Sequence, residues 1–278
     1  MWAIGTAGVV TNNVEKPYTN NGVNQYTGVG GDPVTNGPAH QITAYDGNSY
    51  AYIGDTYLAQ VTSGGTTYQL RYDALGRCVQ RTLGGTISYF LFDGEHWILE
   101  YNASGADVGN ALYGLGIDEI IARSNNGQGQ FLMQDRLGNT SLVLGGSGQV
   151  LESYTYDAFG TPAIKAPSGA GREVSAIKNN FLFTGREYAP QFGIYEYRNR
   201  AYHPGLGRFT SEDPIGIKIA GAKPSPELQS MLFAKLPETF AESELNLFAY
   251  CNNDPLNRLD PWGLEYIKLE LIKTGDRN

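Results

Sequence analysis

Cysteine, histidine and charge are all scarce in this chain, and each scarcity excludes something. Two cysteines, Cys78 and Cys251, cannot build a framework of bridges. Each sits in a strand-like apolar pattern and reads as a buried thiol, with a single disulfide between them left open. Three scattered histidines (His40, His96, His203) show no metal-ligand spacing, so neither a metal nor another cofactor is expected. Charged residues make up only 17%, and 28 acidic against 20 basic residues give a net charge of −8. With no cluster of Lys and Arg, a nucleic-acid surface and an anionic membrane are both poor partners. No apolar run is long enough to span a bilayer, and Met1–Val10 lacks the basic start of a signal peptide. Export, on this reading, requires a dedicated machine or an address on a longer parent chain. Glycine loops for phosphates and Gly-x-Ser-x-Gly nucleophile turns are missing too.

What is present is glycine (36) and tyrosine (19), the balance of many short strands. Aromatic-Asp elements recur at Tyr45-Asp46, Tyr72-Asp73, Phe92-Asp93 and Tyr156-Asp157. Degenerate copies fit at Gly114–Asp118 and Gln134–Asn139. A period in roughly the low twenties is too short for a propeller blade and suits one hairpin with its turns. In Tyr68–Tyr72, Tyr68, Leu70 and Tyr72 share one face while Gln69 and Arg71 share the other. Asp73-Ala-Leu-Gly76 reads as a turn whose carboxylate caps backbone N–H groups. The expected fold is all-β: residues 1–160 as hairpins in one long curling antiparallel sheet. Residues 161–180 read as a loop. Residues 217–245 read as an insertion, with a short helix over 226–236 begun by Pro226.

The C-terminal third carries Phe183-Thr-Gly-Arg-Glu-Tyr188, Tyr195-Glu-Tyr-Arg-Asn-Arg-Ala-Tyr-His-Pro204, Gly207-Arg-Phe209, Asp213-Pro-Ile-Gly216 and Asn246–Leu264 with its Asp260-Pro-Trp-Gly. In this order these motifs resemble the core domain that closes Rhs/YD-repeat proteins: Rhs polymorphic toxins, C subunits of Tc toxins and, more distantly, teneurins. The hairpins resemble the repeats of the same family, so the resemblance covers nearly the whole chain. It implies a β shell around an effector, with residues 181–264 as an inward-curling plug. It also implies self-cleavage after Leu264, between Leu264 and Glu265, by Asp213 and Asp260. Two carboxyls close enough to share a proton supply an acid and a base. Arg208 is a supporting candidate by its forked guanidinium, while Arg186 and Glu187 read as a salt-bridged turn and Asp254-Pro255 as a turn alone. The expected partners are the chain's own C-terminal segment or a toxin cargo, an export machine or other shell proteins. Residues 265–278 are too few for a toxin fold and read as a truncated effector or a short peptide, with a strand near Tyr266–Leu271. The rival expectation is a module of the same family without catalysis, structural or adhesive, for which the insertion argues.

Overall fold

A computed structural model describes residues 17–214, 246–264 and the backbone of 267–268. The whole 217–245 insertion, with its expected helix over 226–236, lies outside the described residues, as does Glu265. Fifteen strands from Thr35–Asn36 to Gly171–Arg172 form one open antiparallel sheet in which every strand pairs with its sequence neighbour. Residues 161–180, expected as a loop, supply the last two strands, Pro162–Lys165 and Gly171–Arg172. Pro162 fits because it opens its strand, where a missing N–H is tolerated.

The sheet is punctuated by one turn device. At Asp73 a side-chain oxygen accepts the N–H groups of Leu75 and Arg77, and Gly76 takes a φ of +81°. The same two acceptances and the same glycine recur at Asn102, Asp135 and Asp157. An Asx carboxylate or amide replaces backbone partners that a tight turn leaves open. Tyr45-Asp46-Gly47 differs: Asp46 and Gly47 both adopt positive φ in a two-residue turn closing Tyr45 onto Asn48. Asp118 differs more. It caps no repeat turn of this type, and its carboxylate is buried against Arg186 and Arg198. Tyrosines add a second repeated device, turning rings inward while their hydroxyls donate to a neighbouring carbonyl. Tyr52 reaches Ile42 O, Tyr72 reaches Leu58 O and Tyr156 reaches Thr140 O, each at 2.8 Å.

The long sheet bends around a second, four-stranded sheet of Glu187–Ala189, Ile194–Tyr197, Arg200–His203 and Arg208–Phe209. Contacts to residues 178–211 come from the whole length of the long sheet. Asn48 Nδ2 donates to Phe192 O, Arg81 pairs with Glu187, Arg123 donates to Lys178 O, and Tyr202 donates to Phe159 O. Buried Tyr195, Tyr197, Tyr202, Phe209 and Tyr250 fill the centre, most neighbouring rings meeting tilted or edge to face. Beneath them Arg81 of the long sheet bridges Glu187 and Glu196, and Arg186 pairs with Asp118 in a connection of that sheet, so Arg186 and Glu187 are ion-paired as expected, but not to each other. Both cysteines are free and buried, and burial raises their thiols well above the usual range. Among the described residues no helix is long and apolar enough to cross a membrane.

Candidate active site

Two strands of the small sheet, Ile194–Tyr197 and Arg200–His203, are joined by Arg198 and Asn199 in a two-residue turn, with Tyr197 opposite Arg200. The strand-favouring residues Ile194, Tyr195, Tyr197 and Tyr202 make the strands, and the turn brings three polar side chains to one end. Arg200 is 3% exposed, its guanidinium stacked 3.6 Å from the Phe209 ring centroid. A buried arginine demands partners, and it has them on all sides. Nε donates to Gly263 O, and Nη1 to Leu247 O at 2.9 Å. Nη2 lies 3.0 Å from Asp213 Oδ2 and 3.6 Å from Asp260 Oδ2.

The two carboxylates singled out in the sequence therefore meet at one guanidinium nitrogen. Asp213 is fixed by its own N–H donating to Leu247 O at 2.9 Å. Asp260 Oδ1 accepts the N–H of Leu264 at 3.0 Å, and Gly263 takes a φ of +66°. Asp260-Pro-Trp-Gly-Leu264 thus shares the glycine position and the fifth-residue contact of the repeat turns, carried into a buried setting. Burial pushes the Asp260 carboxyl up to about 7; Arg200 opposes that rise, while the charge of Asp213 adds to it. Arg200 sits nearer Asp213 than Asp260, so the guanidinium is the closer counter-ion of Asp213. A cleft of about 360 Å³ opens beside Leu259, Asp260 and Pro261, with Asp118, Gln134 and Asp135 on its far wall.

Arg208 is elsewhere. Its Nη1 donates to Asn24 O at 2.7 Å and its guanidinium covers the Tyr26 ring at 3.3 Å, tying the three-stranded sheet Tyr18–Asn20, Tyr26–Val29 and Asp32–Pro33 to the small sheet. Arg200 is the residue the sequence reading missed. Two arginines inside a tyrosine-rich strand pair were the available signal, since such residues are buried only when paired. Asp254 keeps its turn role, accepting from Asn257 Nδ2 and pairing with Arg258 at 3.4 Å. The expected cut falls at the edge of the described residues, beyond which Ile267–Lys268 returns to pair with Arg258–Leu259.

Gly263 tolerates no side chain. A Cβ there would stand 2.3 Å from Tyr197 O, and the φ is left-handed. Gly263→Ala is expected to cost at least about 2 kcal/mol of local stability, read as faster hydrogen exchange at the Leu264 amide.

No protein-family profile matches the chain. Among curated proteins it is 25% identical over 247 residues to the tRNA3(Ser)-specific nuclease WapA of Bacillus spizizenii, covering 87% of this chain and 9% of that protein. It is 23% identical over 217 residues to Teneurin-3 of Danio rerio, covering 76% of this chain and 7% of that protein. Among solved structures, the TcdB2-TccC3-Cdc42 crystal structure matches with a TM-score of 0.59 at 18% identity, covering 90% of this chain and 13% of that one. The TcdB2-TccC3 structure matches at 0.55, with 20% identity, over 84% of this chain and 11% of that one. The chain spans about a tenth of the length of these relatives. Together they support a relation to the Rhs/YD-repeat family and a shared fold.

Proposed function

We propose that this chain is the closing part of a Rhs-type β shell, hairpin repeats followed by the family's core domain, and that it cuts its own backbone after Leu264. The wrapped long sheet is the wall, residues 181–264 are the plug, and the enclosed or presented partner is the chain's own downstream segment or a toxin cargo. A shell of this kind is exported and acts on or with other protein chains, as the TccC3 neighbours appear with TcdB2.

One observation carries the catalytic reading: Asp213 and Asp260 converge on Arg200 while Asp260 touches the amide of the residue preceding the cut. Asp213, paired with Arg200, takes a proton from a water entering by the neighbouring cleft. The hydroxide forms a bond to the Leu264 carbonyl carbon. Neutral Asp260 gives its proton to the Glu265 nitrogen as the C–N bond breaks, leaving a Leu264 carboxylate and a Glu265 amine. Burial keeps Asp260 neutral at a pH where an ordinary aspartate is ionised. The tethered substrate needs no binding step.

Intact-mass measurement of the purified chain tests this, with a fragment ending at Leu264 expected and a chain whole at every pH from 4 to 8 overturning it. The rate should hold up to about pH 7, where Asp260 loses its proton, and fall about ten-fold per unit above that. A second reading, a structural module without catalysis, is favoured by the likeness of the Asp260 turn to those at Asp73 and Asp135.

A further inference from the structure

Three consecutive side chains hold three consecutive carbonyls at this site. Arg198 Nη1 donates to Pro261 O, Asn199 Nδ2 to Trp262 O at 3.0 Å, and Arg200 Nε to Gly263 O. Arg200 has a task at the carboxylates. Arg198 and Asn199 are turned to the backbone instead, and both are oriented with care. Arg198 is gripped by Asp118, with Nη2 at 2.7 Å from Oδ1 and Nη1 at 3.0 Å from Oδ2, and its guanidinium faces the Trp262 ring at 5.0 Å. Asn199 Oδ1 accepts the Tyr57 hydroxyl at 3.0 Å, which fixes the amide so that Nδ2 faces Trp262 O. The turn that presents them keeps Arg198 at a φ of +56°, a conformation that costs an ordinary residue energy. Tyr57 opens a strand of the long sheet, and Asp118 lies in the connection between its strands Asp107–Tyr113 and Ile120–Asn125.

We propose that Arg198 and Asn199 are positioning residues for the self-cleavage proposed above: they fix the register of Pro261-Trp262-Gly263 and so decide which peptide bond reaches Asp213 and Asp260. This rests on that reading. Backbone carbonyls are identical from residue to residue, so a chain held by one of them could slip. Three successive donors on a rigid hairpin accept one register only, and displacement of a reacting bond by about 1 Å costs up to about 100-fold in rate. The grip also outlasts the cut, because every carbonyl it holds lies upstream of Leu264. The new C-terminus stays on the hairpin, while the downstream piece is held by the two-residue pairing at Ile267–Lys268.

The experiment follows cleavage of the full chain by mass spectrometry across a pH series. Asn199→Ala is expected to slow the cut about 10- to 100-fold and to produce fragment ends other than Leu264, with the pH midpoint unmoved. Tyr57→Phe, which leaves the fold intact and only frees the amide, should slow it about five-fold. An Asn199→Ala chain cut at the same bond and rate as wild type overturns the proposal. A wild type that is never cut overturns the self-cleavage reading and, with it, the role in register. Hydrogen exchange then decides the grip alone: faster exchange at the Gly263 and Leu264 amides in Asn199→Ala upholds it, and unchanged exchange overturns it.

Discussion

Replacing Asp260 by asparagine is expected to leave the chain whole at every pH while preserving the fold. Asparagine keeps an oxygen to accept the Leu264 N–H, so the turn survives, but the amide cannot give a proton to the departing nitrogen. Loss of a carboxylate that acts in concert with another costs a thousand-fold or more, so no fragment should be visible over hours. The same substitution should change how stability depends on pH. The folded carboxyl titrates near 7, against 3.8 for an ordinary aspartate. The folded state therefore binds more protons than the unfolded one between those values, and wild-type stability falls as pH rises from about 4 to about 7. The fall is on the order of 4 kcal/mol for this group. Thermal unfolding of Asp260→Asn should lack it, so the variant gains on wild type toward neutral pH. A variant that cleaves, or one that follows the wild-type pH curve, contradicts the assignment. Asp213→Asn should also remain uncut, because the base is gone.

The second large effect lies away from the carboxylate pair, at Arg81. Its guanidinium forks onto Glu187 with two contacts of 2.6 Å and reaches Glu196 at 2.9 Å. Glu187 also accepts from Trp97 Nε1 at 2.7 Å and Asn180 Nδ2 at 2.6 Å. Burial drives both carboxyls upward; Arg81 outweighs it at Glu187, which is held below its usual range, whereas Glu196 stays above. Arg81→Met removes the cation that bridges these two acids. Breaking a buried pair from one side costs about 3–5 kcal/mol, which lowers Tm by roughly 10 °C in a chain of this size. Adding Glu187→Gln and Glu196→Gln should restore more than half of that loss, since an uncharged trio needs no counter-ion. Calorimetry on the single and triple variants gives the answer, and a triple variant no more stable than the single one refutes the account.

Much of this fold is legible in the sequence. Local rules suffice where one residue acts on its near neighbours: Asp73 caps two N–H groups within five residues, and Gly76 supplies the bend. The same logic yields the facing of Tyr68, Leu70 and Tyr72. Asn102 escapes notice because Tyr101-Asn102 keeps the aromatic but puts an amide where the signature has an aspartate. Asp118 is misleading for the opposite reason. It sits in a glycine-rich stretch like a turn residue, but its partners Arg186 and Arg198 lie far along the chain. Partners distant along the chain also distinguish Arg200 from Arg208. Both are arginines near aromatic residues, and only the wrapping of the sheets sends one to Asp213 and Asp260 and the other to Asn24. The expectation of a loop over 161–180 fails because alanine- and proline-rich composition carries little information about strands whose pairing comes from outside: Pro162–Lys165 pairs with Val150–Tyr156, and Gly171–Arg172 then adds to Pro162–Lys165.

The way the long sheet encircles the small one has a consequence in time. Tyr57 and Asp118 stand more than sixty residues and several strands apart, yet both must be in place before Asn199 and Arg198 can grip the backbone upstream of Leu264. A nascent polypeptide with only its early hairpins zipped has no grip. One whose last hairpins are unwound cannot seat the central tyrosines, because Phe159 O and Gly160 O are missing for Tyr202 and Tyr195. On the proposed mechanism, reactivity is thereby deferred until winding is finished, and a half-wound chain is expected to keep its downstream segment attached.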